Sequence, residues 1–158
     1  MPKSEIVQWS PTFACGIRII DEQHKTLIDM VNGLFNHVTG DPTSERLYFQ
    51  KVIHQAVDYV KVHFATEEKI MIQTKFQGYS EHKKAHEAFV LNVVECVRDF
   101  EAGKSFTLLN FAKFLKEWIL THIAIMDKQY FTHLKKIATR KGDGKLTITN
   151  ADVASPVY

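Results

Sequence analysis

His63-Phe64-Ala65-Thr66-Glu67-Glu68 and, further along, His82-Lys83-Lys84-Ala85-His86 are the two stretches that decide the reading of this chain. Each places two ligand-type side chains four residues apart. On a helix, that spacing brings them to one face, separated by about 40 degrees around the axis. Met71 continues the His63–Glu67 stripe by another turn. Upstream, His24 lies one turn from Ile20 and Ile28, on the apolar side of its own segment. Downstream, His122 lies one turn after Trp118. Four separate segments therefore each send a candidate ligand inward.

The segments themselves read as helices. Breakers are few, with seven glycines and four prolines in 158 residues. Residues 1 to 20 form an irregular lead-in. Asp21 is the expected N-cap of the first helix, which carries Leu27, Ile28, Val31, Leu34, Phe35 and Val38 at helical spacing and ends by Gly40. Asp41-Pro42 restarts the chain as N-cap and first helical residue. The second helix runs to about Thr74. Ser80 is the expected cap of the third, which stops at Gly103. The fourth starts near Ser105 or Thr107 and ends at Lys135-Lys136, where positive charge suits a helix C-terminus. Long amphipathic helices with short joins make antiparallel neighbours. The expected fold is all-α, an up-down-up-down four-helix bundle over residues 1–138, followed by a polar tail, 139–158.

Composition narrows the function classes. A net charge of +2 with dispersed lysines gives no electrostatic footprint for nucleic acid. No run approaches the ~20 apolar residues that span a bilayer, and the first residues lack a signal-peptide core. A soluble, cytoplasmic protein without membrane insertion is expected. Cys15 and Cys96 do not form a Cys-x-x-Cys pair and read as idle thiols.

One inward histidine in a bundle is usually a hydrogen-bonded core residue. Several inward imidazoles and carboxylates together would cost on the order of several kcal/mol to bury, and a metal offsets that cost. Five imidazoles exceed one tetrahedral site. They fit two metals with carboxylates between them. Glu67 can bridge. A second bridge would come from the fourth helix, with Asp127 as candidate. Its five-residue spacing from His122 puts it about 140 degrees away on an ideal α-helix, so spacing alone does not select it. As a ligand it requires a loosened, π-type turn. His37, His54 and His133 fall outside this set and read as surface or structural residues.

In order and spacing, Asp21-x-x-His24, His63-Phe64-x-x-Glu67-Glu68, His82-x-x-x-His86 and Trp118-x-x-x-His122-Ile123-x-x-x-Asp127 resemble the hemerythrin signature. Trp9 and Gly16-Ile17-x-x-Ile20-Asp21-x-Gln23-His24-Lys25 are similar to the lead-in of its bacterial branch. The resemblance covers about residues 6 to 137 and leaves the tail outside. It implies two iron ions, Fe2+ or Fe3+, joined by an oxo or hydroxo bridge. His82, His86 and His122 would hold one iron. His24 and His63 would hold the other, with Glu67 and Asp127 bridging. The second iron keeps an open position for dioxygen, and Met71, Trp118, Ile119 and Tyr130 line that pocket. Imidazole suits zinc, copper and iron alike, so ligand type does not choose the metal. The absence of Glu-x-x-His does separate the chain from ferritin-like carboxylate sites.

The resulting expectation is reversible dioxygen binding without enzymatic turnover, for storage, delivery or scavenging. The alternatives are an oxygen or redox sensor that signals to a protein partner through the polar tail, a di-iron enzyme acting on peroxide or nitric oxide, and a bundle that holds zinc.

Overall fold

In the computed structural model, residues 6–104 and 107–140 are described. Helix α1 is Arg18–Asn36, α2 is Pro42–Gln73 and α3 is Tyr79–Glu101. The fourth rod is continuous but composite. It consists of α4 (Leu108–Trp118), a π-helical segment (Ile119–Met126) and α5 (Asp127–Arg140). A short 3-10 turn, Pro11–Phe13, precedes α1. Joins of a few residues link the rods, and α1 packs on α2 and α4 while α2 packs on α3. The fold is the expected up-down-up-down bundle.

Local chemistry explains most boundaries. The Asp41 carboxylate accepts from the backbone N–H of Thr43 and Ser44 at 3.3 Å each, and Pro42 needs no donor there. Thr107 caps α4 through its hydroxyl oxygen, which accepts from Asn110 N at 3.2 Å. The Ser105 alternative lies outside the described residues.

Three expectations are corrected. Asp21 is not an N-cap, because α1 begins at Arg18 with Ile17 at the cap. The Asp21 carboxylate reaches backwards instead and accepts from Cys15 N at 2.8 Å and Gly16 N at 3.1 Å, tying the lead-in to the helix. Ser80 does not cap α3, which begins at Tyr79 after Gly78. A Cβ on Gly78 would sit 2.6 Å from the Phe76 ring, which would have to shift to admit it. Finally, the last helix passes Lys135-Lys136 and runs to Arg140. Residues 141–158 of the expected tail lie outside the described residues.

The core has two apolar parts. The larger contains Leu27, Phe49, Phe64, Phe89, Phe111, Ile119 and Ile123. The smaller contains Ile20, Ile70, Met71, Tyr130, Phe131 and Leu134. A layer of buried polar side chains is shared by α1, α2, α3 and the fourth rod. The lead-in closes over this arrangement through Asn32, which accepts from Val7 N at 3.0 Å and donates to Val7 O at 2.8 Å.

Candidate metal centre

Every residue of the polar layer is sealed from water. His24, His63, Glu67, His82, His86, His122 and Asp127 are each at most 2% exposed. α1 contributes His24, and α2 contributes His63 and Glu67 on successive turns. α3 contributes His82 and His86. The fourth rod supplies His122 from the π-helical segment and Asp127 at the point where α-geometry resumes. Wider turns bring residues five apart onto one side, and the π-segment does this for His122 and Asp127. Asp127 Oδ1 lies 3.1 Å from His122 Nε2.

The carboxylates organise the histidines into two sets. Glu67 turns Oε1 toward His24 Nε2 (3.3 Å) and His63 Nε2 (3.4 Å). Its Oε2 faces His86 (3.2 Å) and His82 (3.7 Å). Asp127 repeats the division, with Oδ2 at 3.3 Å from His24 and Oδ1 at 2.9 Å from His82. Two overlapping groups result: Glu67, His82, His86 and His122, and His24, His63, Glu67 and Asp127. Within each group the facing ligand atoms lie within 4.8 Å of one another.

This set fits metal ions better than it fits itself. Among the described residues, His24 Nε2, His82 Nε2, Glu67 Oε2 and both Asp127 oxygens are buried without a hydrogen-bond partner. Unmet polar atoms at that depth cost about 1–3 kcal/mol each. The electrostatics show the same tension. Burial opposes charge on His24, but Asp127 and Glu67 beside it prevail and raise its pKa to about 10. His82 is raised to about 9 by the same carboxylates against the same burial. At His63 burial wins and the pKa falls to about 4. Burial and the Glu67 charge oppose ionisation of Asp127, yet the surrounding histidines hold it at about 2. Two carboxylates thus stay charged in a dry interior, balanced in the metal-free chain by the histidines around them.

Residues 15–134 match the family model described as the hemerythrin HHE cation binding domain. The chain belongs to the hemerythrin family. It is 32% identical over 130 residues to a bacteriohemerythrin of Stenotrophomonas maltophilia, covering 82% of each chain. It is 31% identical to a bacteriohemerythrin of Methylococcus capsulatus, covering 79% of this chain and 94% of the relative. A hemerythrin of Phascolopsis gouldii is 30% identical, with 77% and 88% covered. A crystal structure of a hemerythrin point mutant superposes with a TM-score of 0.74 at 29% identity, covering 83% of this chain and 98% of the other.

The surroundings of the candidate centre in this hemerythrin-family chain add contacts that the spacing did not reveal. Phe64 stacks on His86 with ring centroids 3.8 Å apart, and Trp118 stacks on His122 at 4.0 Å. Trp118 thus lies against the three-histidine group. Met71, Ile119 and Tyr130 are fully buried. The Tyr130 hydroxyl donates to Glu67 Oε1 at 3.0 Å, and Phe131 lies 6.3 Å from His24, ring to ring. His86 Nδ1 pairs with Glu68 Oε1 at 3.0 Å, and His63 Nδ1 with Gln23 Oε1 at 2.8 Å. Gln23 and Glu68 are sequence neighbours of His24 and Glu67. Both stand in the stretches that resemble the hemerythrin signature, and that place in the motif was the signal for them.

The remaining histidines stand apart. His54 is exposed, His37 stacks on Tyr48, and His133 Nε2 pairs with Thr74 O at 2.7 Å. Among the described residues, no helix is long and apolar enough to cross a membrane.

Proposed function

We propose that this protein binds dioxygen reversibly at a non-haem di-iron centre whose ligands are His24, His63, Glu67, His82, His86, His122 and Asp127. The carrying observation is the division of each carboxylate, with one oxygen of Glu67 and one of Asp127 facing each histidine set. A single metal would leave half of these oxygens idle. Two metals use all of them.

Two ferrous ions, when bound, supply the two electrons that dioxygen accepts. His82, His86 and His122 give one position three imidazoles, while His24 and His63 give the other two. The two-imidazole position therefore keeps room for dioxygen. Ile20, Met71, Ile119 and Tyr130, each fully buried, exclude water from the interior.

The residues also favour binding over turnover. Beyond the seven proposed ligands, the only buried polar residues in the described chain besides Tyr130 are Asn32 and Thr66. Asn32 is committed to the lead-in, and the Thr66 hydroxyl donates to Val62 O at 2.8 Å. The Tyr130 proton is engaged with Glu67, and burial raises its pKa well above the usual phenol range. Among the described residues, no spare buried general acid stands ready to drive cleavage of the O–O bond.

The test is an anaerobic, reduced sample exposed to air, with metal counting and visible spectroscopy. Two irons per chain and a charge-transfer band that disappears when oxygen is removed are expected. Irreversible oxidation, or a colourless zinc-loaded protein, would overturn the reading.

A further inference from the structure

Each half of the centre contains one histidine whose outer nitrogen is held by a polar side chain, and the two holders differ in charge. In the three-imidazole half the holder is Glu68, a carboxylate with its side chain 23% exposed, which faces His86 Nδ1. In the two-imidazole half it is Gln23, a neutral amide, which faces His63 Nδ1. Their counterparts His24 Nδ1 and His122 Nδ1 are buried without a partner among the described residues.

The Gln23 contact has a defined polarity. The Thr66 hydroxyl donates to Val62 O at 2.8 Å, leaving its oxygen to accept. Gln23 Nε2 donates to that oxygen at 3.5 Å, which turns Gln23 Oε1 toward His63. An amide oxygen only accepts, so His63 Nδ1 must carry the ring proton. The lone pair is then at Nε2, which points at Glu67 Oε1. The Gln23 backbone is fixed as well, because the Tyr59 hydroxyl donates to its carbonyl oxygen. Gln23 lines a surface crevice of about 420 Å³ between α1 and α2, beside Glu22, Asp58 and Tyr59. The clamp on His63, like Glu68 on the other half, therefore borders solvent.

We propose that Gln23 is a positioning residue. It fixes His63 as an Nε2 donor and, being neutral where Glu68 is charged, makes the two-imidazole half the weaker electron donor of the centre. This rests on the di-iron reading above. A charged acceptor on the outer nitrogen draws the imidazole proton and strengthens the ring as a donor, which favours ferric iron. A neutral amide does so less.

The test uses the full chain loaded anaerobically with ferrous iron, then challenged with excess ferrous chelator while iron release and reduction potential are recorded. Wild type is expected to release its two irons in separate fast and slow phases. Gln23→Leu should accelerate the fast phase by about 10–100-fold and leave the slow phase unchanged. Gln23→Glu should restore retention and shift the potential of that half downward, which a residue that merely fills space would not do. Superimposable release by wild type and Gln23→Leu would overturn the positioning role, and an unchanged potential in Gln23→Glu would overturn the role of charge. Should Gln23→Leu fail to fold, Gln23→Glu, which keeps the amide's shape, decides alone. A wild-type chain that takes up no iron would instead refute the di-iron reading itself.

Discussion

At the scale of single residues, the centre is built from side chains that perform two tasks at once. Tyr130 fills the smaller apolar cluster and also donates to Glu67 Oε1 from a fully buried position. Tyr130→Phe keeps the ring and removes only the donor. A hydrogen bond to a charged acceptor contributes about 1.5–3 kcal/mol. The metal-free variant is therefore expected to unfold at lower denaturant, with a loss of roughly that size and an unchanged slope. Equal midpoints for variant and wild type would mean that Glu67 needs no partner there. The proposed ligands were visible in the sequence because residues four apart share a helix face, so His63–Glu67 and His82–His86 announce themselves. Gln23 and Glu68 stood in the quoted motifs, but their contacts were not legible, since each sits one position from a ligand and points about 100 degrees away on its own helix. Only packing between helices carries them to a second histidine.

At the scale of elements, the fourth rod is where local and tertiary demands conflict. An ideal α-helix would turn His122 and Asp127 apart, and the chain resolves this with the π-helical segment Ile119–Met126. The five-residue spacing raised that requirement, but only the set of facing histidines selects Asp127 over other acids. Helix starts were legible to different degrees for a physical reason. An aspartate reads the same whether it caps the residues after it, as Asp41 does, or reaches back to the N–H groups before it, as Asp21 does. The bonds at Asp41 are exposed and lie about six helical turns before His63 on the same helix. Asp41→Ala should thus lower stability by about 1 kcal/mol in denaturant melts while the metal count and spectrum stay those of wild type. A spectral change would show that the start of α2 is coupled to the centre.

At the scale of the whole molecule, the polar layer divides the core, so the metal-free bundle must have a stability that depends on pH in a particular way. His63 is held at about 4, below its ordinary 6.5. Its contribution is fully present above 6.5 and fades as pH falls toward 4. His24 and His82 are displaced the other way, to about 10 and about 9. Their contribution is fully present below 6.5 and is lost as pH rises through 9 and 10. Thermal melts of the metal-free chain should thus peak near pH 6.5 and decline on both sides, with His24, His82 and His86, which Glu67 and Glu68 also raise, driving the alkaline fall and His63 the decline between pH 6.5 and 4. Metal binding requires every imidazole to be a neutral donor. Iron-loaded protein should therefore lose the alkaline fall and gain a steeper acid one, as protons compete for the ligands. If the metal-free chain melts equally at pH 7 and pH 9, His24 and His82 are not paired with Glu67 and Asp127 as cations. The carboxylates would then be balanced by something other than the histidines that surround them.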